Sequence, residues 1–258
     1  MRLLSYNILD GGEGRADPLG EVIEAQRADI VCLVEADNLG VIERNAQRLK
    51  MDYIHAPGRR SAAALMSRWP ITRTVNHGVL LLAGPEKSFL EAEVIDPQGR
   101  GWTIGVVHLH ARATDDDEQT RERDIAAVLD VFAKHRSANR PHLLAGDFNS
   151  NAPSQKIDPA QCTPKTREAW EANGGKISRR IVQRILDAGY LDTLREFDPA
   201  GSELAGSFTT QFPGQRVDYL FAFGFERSSI QQAWIEQDRL AKYASDHFPV
   251  GVELTMEP

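Results

Sequence analysis

In the stretch Leu143-Leu-Ala-Gly-Asp147-Phe-Asn149-Ser150, an apolar run delivers a carboxylate and an amide two residues apart. Strand spacing sends such a pair to the same side. There it can hold a water or hydroxyl nucleophile while bonding a phosphate oxygen, although the same residues can also close a strand as an Asx-rich turn. In Ala244-Ser-Asp246-His247-Phe-Pro249 an acid and an imidazole stand together before another apolar run. A protonated histidine can stabilise charge on a pentacovalent phosphorus centre, and an aspartate can hold a metal or metal-bound water; a capping acid beside a surface histidine is the plainer alternative. Arg216-Val-Asp218-Tyr219 places an acid inside a hydrophobic strand, where an unpaired carboxylate would be costly. Asp218 therefore needs a partner, with His247 the candidate and an arginine such as Arg216 the alternative.

Two further runs end on oxygen-bearing side chains: Asp29-Ile-Val-Cys-Leu-Val-Glu35 and Leu3-Leu-Ser-Tyr-Asn7-Ile. Hard cations such as Mg²⁺ take oxygen ligands of this type, although Glu35 could also cap the following helix and Asn7 could turn the chain. Val106-Val-His108-Leu-His110 sets two imidazoles at strand spacing. A zinc site is the less favoured reading, since no cysteine joins them and the available acids suit Mg²⁺ or Mn²⁺. A histidine that donates to a phosphate oxygen, with the second imidazole nearby or structural, fits better.

The elements that must position these groups follow from hydrophobic periodicity and breakers. Strands are predicted at Arg2–Ile8, Ile30–Val34, Ala62–Met66, Ile71–Asn76, Gly78–Leu82, Phe89–Ile95, Trp102–Val107, His142–Ala145, Val217–Phe221, Ile230–Ile235 and Pro249–Leu254. Helices are predicted from Asp17-Pro18, read as N-cap and first helical position, to about Arg27, and over Asn38–Lys50, Glu118–His135 and Arg179–Ala188. Strands in runs, hairpins among them, with helices between predict an α/β fold. The expectation is a four-layer sandwich of two packed mixed or antiparallel sheets flanked by helices, one domain over residues 1–258, with the chemistry at strand ends.

The 258 residues include 30 Lys plus Arg against 37 Asp plus Glu, a net charge of −7. That sign opposes tight binding through neutralisation of many nucleic-acid phosphates. Local basic patches remain candidates at Arg59 with Arg60, and at Arg179, Arg180 and Arg184. The two cysteines, Cys32 and Cys162, indicate neither a disulfide nor a cysteine metal site. No signal-peptide pattern or membrane-length apolar run is present, so a cytoplasmic, monomeric protein without membrane insertion is expected.

The order of these motifs resembles that of the endonuclease/exonuclease/phosphatase superfamily. It runs from Asn7 through Glu35, the Ser67-Arg-Trp-Pro70-Ile junction and His108 to Gly-Asp147-Phe-Asn149, Val-Asp218-Tyr and Ser-Asp246-His247. The resemblance implies a phosphoester hydrolase that uses Mg²⁺ or Mn²⁺ and acts on a phosphate-ester substrate, nucleic acid among the candidates. It implies that Glu35, with Asn7 and Asp246, binds the metal, and that Asp147 aligns or deprotonates water. Asn149 and His108 would contact the phosphate, with His110 nearby as a substrate contact, while His247, oriented by Asp218, would stabilise the developing charge. Two departures stand out. Leu33-Val34-Glu35-Ala36-Asp37 replaces the family's usual Gln-Glu, so Asp37 could join the metal shell, and Val107 occupies the place of the usual threonine before His108. The Pro-, Asn- and Gly-rich segment 151–176 matches no motif and is expected to form a loop beside the catalytic strand end.

Overall fold

The computed structural model describes residues 1–80 and 85–255. Along the chain come β1 (Arg2–Asn7), α1 (Ala16–Ala25), β2 (Ile30–Val34), α2 (Leu39–Leu49), β3 (Asp52–Ala56), β4 (Ala63–Ser67), β5 (Ile71–Asn76), α3 (His77–Leu80), β6 (Ser88–Ile95) and β7 (Gly101–His108). They are followed by α4 (Asp115–Ser137), β8 (His142–Asp147), α5 (Pro164–Ala172), α6 (Arg180–Asp187), β9 (Leu191–Asp192), α7 (Thr193–Phe197), α8 (Pro199–Ser202), β10 (Asp218–Phe223), β11 (Ile230–Ile235), α9 (Ala241–Ala244) and β12 (Val250–Leu254). The strands form two six-stranded sheets, ordered β11-β12-β1-β2-β4-β3 and β5-β6-β7-β8-β10-β9. Only β1–β2 and β7–β8 run parallel among the described pairs.

Alternation along the strands divides the apolar side chains among three cores. Leu3, Cys32, Val34 and Leu65 of the first sheet meet Val106, Ala145 and Leu220 of the second in the middle of the sandwich. Leu4, Tyr6, Val31 and Leu33 face outward under α1 and α2. Val107, Leu144 and Phe221 face outward under α4 and α6. Each such leucine or valine, fully buried, stabilises the fold by about 1.5–3 kcal/mol. The four-layer α/β sandwich expected from the sequence is the one observed.

Differences from expectation have local causes. The Gly78–Leu82 stretch is not a strand where it is described: His77–Leu80 forms a helical turn, and residues 81 and 82 lie outside the described residues. Val79 and Leu80 are largely exposed, so their hydrophobicity reports no burial. α1 begins one residue before Asp17, with Arg15 at the N-cap position and no side-chain cap. Asp17 instead pairs with Arg44 at 2.7 Å. α2 starts as predicted, with the Asn38 side chain accepting from the backbone of Gly40 and Val41. α4 begins three residues early because Thr114 and Asp117 form a capping box. The edge strand β3 lacks an alternating pattern, and segment 151–176 contains α5, capped by Thr163 with Pro164 at the first helical position.

Candidate active site

The residues with chemical potential lie where the middle core ends. Register places His108 of β7, Asp147 of β8 and Asp218 of β10 side by side across three strands. Two positions back on the same faces stand Val106, Ala145 and Leu220, all members of the inter-sheet core. Asn7 ends β1 in the same way, two turns of the pleat beyond the core residue Leu3. The polar row is therefore the continuation of the apolar faces to the mouth of the sandwich.

Glu35 does not obey this alternation. By spacing it would share the outward face of Leu33, but its φ of 53° puts the backbone in the left-handed region and turns the carboxylate toward Asn7. Asp10 N–H donates to Glu35 Oε2 at 3.0 Å, and Asn7 Nδ2 donates to Oε1 at 3.3 Å. Asn149 is also left-handed, with φ 48°, a conformation that asparagine tolerates. Its N–H donates to Asp147 Oδ1 at 2.9 Å and its Nδ2 to Leu109 O at 3.1 Å. Gly146 has a specific reason as well: a Cβ there would lie 1.9 Å from Val107 O, so only glycine lets β8 approach β7 this closely beside His108.

Asp147 is the hub. Its Oδ2 accepts from Asn7 Nδ2 at 3.2 Å and lies 3.3 Å from His108 Nε2 and 3.9 Å from His247 Nε2. Burial alone would raise its pKa, but the charges and bonds of His108, His247 and Lys87 win and hold the carboxyl well below the usual range. His247 Nδ1 and Asp218 Oδ2 are 2.8 Å apart. Burial disfavours a charged imidazole, yet the carboxylates of Asp218, Asp147 and Asp246 outweigh it and push the His247 pKa up. Asp218 stays available for this bond because Arg216 is engaged elsewhere. Its guanidinium makes a buried two-pronged pair with Asp192 at 2.9 and 2.6 Å and lies over the Tyr219 ring. The Ser245 hydroxyl donates to Asn7 O at 2.7 Å and accepts from His247 N, which fastens the Asp246–His247 turn to the end of β1.

The donor set fits a hard divalent cation. Asp246 Oδ1 is buried without a hydrogen-bond partner, and burial together with the nearby charges of Glu35 and Asp147 raises the Asp246 pKa. A cation would relieve that repulsion, and Glu35 and Asp246 offer it oxygens, whereas the Asn7 amide oxygen accepts from Leu9 N–H and its nitrogen faces the carboxylates. Asp147, Asp218 and His247 also bring possible ligand atoms within 4.8 Å of one another. That acid and histidine group could hold a metal, but binding there would compete with the bond between Asp218 and His247.

Two residues expected near the site are bonded to other partners. β7 ends at His108, so the alternation does not reach His110, whose Nε2 bonds Asp117 Oδ1 at 2.7 Å at the start of α4. The two imidazoles thus do not converge as a zinc site would require. Asp37 uses Oδ1 to accept from Ala62 N at 2.7 Å and serves the backbone. Val107 packs outward under α4. The expected basic patches are partly consumed: Arg60 pairs with Glu86, Arg180 with Glu122, and Arg179 donates to Ala152 O.

Lys87 is the group that sequence reasoning missed. Its Nζ lies 2.6 Å from His108 Nε2 and 4.0 Å from Glu35 Oε1. It immediately precedes β6, in a stretch without periodicity. Only the pairing of Ser88 with His108 brings it to the site.

Comparison with known proteins identifies the family. A family model described as the Endonuclease/Exonuclease/phosphatase family matches residues 4–247, and the chain belongs to that family. No curated protein sequence matches it. Among solved structures it is similar to the 3' phosphatase NExo from Neisseria bound to product DNA hairpin, with a TM-score of 0.76 at 20% identity, covering 99% of this chain and 100% of that one. It is also similar to an AP endonuclease from Archaeoglobus fulgidus, with a TM-score of 0.71 at 15% identity, covering 99% and 100%. A third similar structure is the human Nocturnin catalytic domain with bound sulfate, with a TM-score of 0.69 at 17% identity, covering 98% and 92%. These TM-scores show the shared fold. No helix among the described residues is long and apolar enough to cross a membrane.

Proposed function

We propose that this protein hydrolyses phosphodiesters with the aid of Mg²⁺ or Mn²⁺ at the mouth of the sandwich. The observation that supports this most directly is the meeting of Asn7, His108 and His247 within 3.9 Å of one carboxylate oxygen of Asp147, with Glu35 alongside. Carboxylates and nitrogen donors thus stand within a few ångströms of one another, the mixture a site needs if it is to hold a cation and a phosphate together.

Glu35 and Asp246 would hold the cation, which when bound polarises the phosphoryl group and steadies the leaving oxygen. Asp147, kept ionised by its neighbours, aligns water and accepts its proton. Asn149 fixes the turn that presents Asp147 and lies beside the substrate phosphate. His108 and Lys87 bring their nitrogens to within 2.6 Å of each other, and both would turn to donate to a phosphate oxygen bound beside them. His247, oriented by Asp218, donates to the phosphoryl oxygen as negative charge grows.

The net charge of −7 disfavours a substrate held by many backbone phosphates and favours a short or small ester. A phosphomonoester is the second reading, since Lys87 adds a cation suited to a terminal phosphate dianion. Rates on bis-p-nitrophenyl phosphate and p-nitrophenyl phosphate with Mg²⁺ test both. Faster turnover of the diester supports the first reading and faster turnover of the monoester the second. Turnover of neither, nor of short oligonucleotides, would leave a binding module on this fold.

A further inference from the structure

We infer that Arg15 is a positioning residue for the proposed cation site: its guanidinium clamps the turn that orients Glu35 to the turn that carries Asp246, and so sets the affinity for a divalent cation. This rests on the proposed metal-assisted reaction and names a residue outside the sequence motifs.

Glu35 and Asp246 come from opposite ends of the chain, and their like charges oppose their closeness. The turn after β1 aims the Glu35 carboxylate. Asp10 N–H donates to Glu35 Oε2 at 3.0 Å, and Leu9 N–H donates at 3.1 Å to Asn7 Oδ1, which leaves Asn7 Nδ2 facing Glu35. Leu9 and Asp10 have φ of 53° and 48°, a left-handed pair that persists only where its surroundings fix it. Asp246 follows the turn at the end of α9, and among the described residues nothing bonds its buried Oδ1.

The Arg15 guanidinium meets both turns. Its Nη2 donates to Leu9 O, and its Nη1 donates to Ala244 O, two positions before Asp246. Two planar donors held at a fixed angle are what arginine supplies and lysine does not. The fork is anchored in turn. Arg15 N–H donates to Gly12 O at 2.9 Å, and Leu19 N–H donates to Arg15 O at 3.0 Å as α1 begins. Leu19 and Ile23 of α1 are buried in one apolar cluster with Ala241 and Ala244 of α9. That packing already docks the two helices, so the fork fixes the spacing of the turns rather than the docking. Without it the like-charged carboxylates would draw apart, and a cation would spend binding energy on bringing them back.

Titration calorimetry of the full chain with Mn²⁺ compares the unaltered protein with Arg15→Ala and Arg15→Lys. The Kd for Mn²⁺ should rise about ten-fold in Arg15→Ala, the lower end of the range for residues that hold metal ligands from behind. Arg15→Lys should recover part of the loss, because its ammonium can reach a carbonyl but lacks the fork. The Mn²⁺ concentration for half-maximal hydrolysis should rise in step, while kcat at saturating Mn²⁺ falls less than about three-fold, a split that general damage to the fold does not give. Melting in EDTA, followed by circular dichroism, identifies the variants that are folded at the titration temperature; should Arg15→Ala not be among them, Arg15→Gln replaces it. An unchanged Mn²⁺ Kd in the folded variant overturns the role of Arg15 and leaves the proposed reaction standing. A raised Kd without hydrolysis of bis-p-nitrophenyl phosphate by the unaltered protein overturns the reaction alone. Absence of Mn²⁺ binding by the unaltered protein overturns both.

Discussion

Nδ1 of His247 and Oδ2 of Asp218 lie 2.8 Å apart in the interior although 29 positions separate them in the chain. Asp218 comes from the second sheet and His247 from the turn before the last strand of the first, so the bond joins the two halves of the sandwich. A carboxylate at this distance holds one imidazole orientation and favours the charged ring.

If the pair works as a unit, His247→Ala and Asp218→Ala should each lower kcat by roughly 10²–10³-fold, the effect of removing a charge-stabilising donor. The double variant should be little slower than His247→Ala, because residues acting together are non-additive. Steady-state rates for the four proteins form the cycle; multiplicative losses would show that Asp218 acts independently.

Activity should require Mg²⁺ or Mn²⁺, disappear with EDTA, and not return with Zn²⁺ alone, since the fitting ligands are hard oxygens. Glu35→Gln should raise the metal concentration needed for half-maximal rate. Asp147→Asn should leave metal binding, followed by calorimetry, near normal while removing turnover. Matching metal titrations and matching residual rates for both variants would contradict this division of roles.

Lys87→Ala should reduce kcat/KM by roughly 10–100-fold, the scale of one charge-assisted contact to a phosphate. Lys87→Arg should recover part of that loss, because it restores the charge with a different shape. Unchanged kcat/KM in Lys87→Ala would assign the lysine to structure alone.

Acid stability should depend on Glu91, which is 4% exposed and bonded by His77 Nε2 at 2.8 Å, His135 Nε2 at 3.3 Å and Lys134 Nζ at 3.3 Å. Burial would raise its pKa, but these three partners bring it down to about 2, below the 4.5 of the free group. A depressed folded-state pKa stabilises above the unfolded value, and that stabilisation is lost as pH falls through the folded value. Between pH 4.5 and about 2 the protein should therefore lose about 2 to 3 kcal/mol on account of this group. Urea titrations across that window should give a shallower decline for Glu91→Gln, and an identical slope would refute the assignment.

Much of the site was legible because hydrophobic runs that end in Asn7, His108 and Asp147 are strands whose last inward position is polar; alternation predicts the face each takes, and strand register brings His108 and Asp147 together. Ile30–Val34 and Ile230–Ile235 were readable to the residue for the same reason. The partner of His110 was not legible, because spacing cannot show that its ring bonds Asp117 at the start of α4. Lys87 was hidden because only strand pairing brings it near. The partner of Asp218 could not be settled from sequence either. The pairing of Arg216 with Asp192, 24 residues away, removed the competing arginine. The short elements α7, α8 and β9 carry too few residues for any periodicity to register.

Because Asn7 and Glu35 belong to one sheet and His108, Asp147 and Asp218 to the other, the site works as an alignment gauge for the whole sandwich. Sliding the sheets by an ångström would stretch the 3.2 Å contact between Asn7 and Asp147 and the bond between His247 and Asp218, while leaving each sheet internally intact. Packing deep in the middle layer, at side chains such as Leu65 and Trp102 that touch no substrate, thus sets the spacing on which the chemistry depends. Damage to that layer would register as lost turnover before it registered as lost fold.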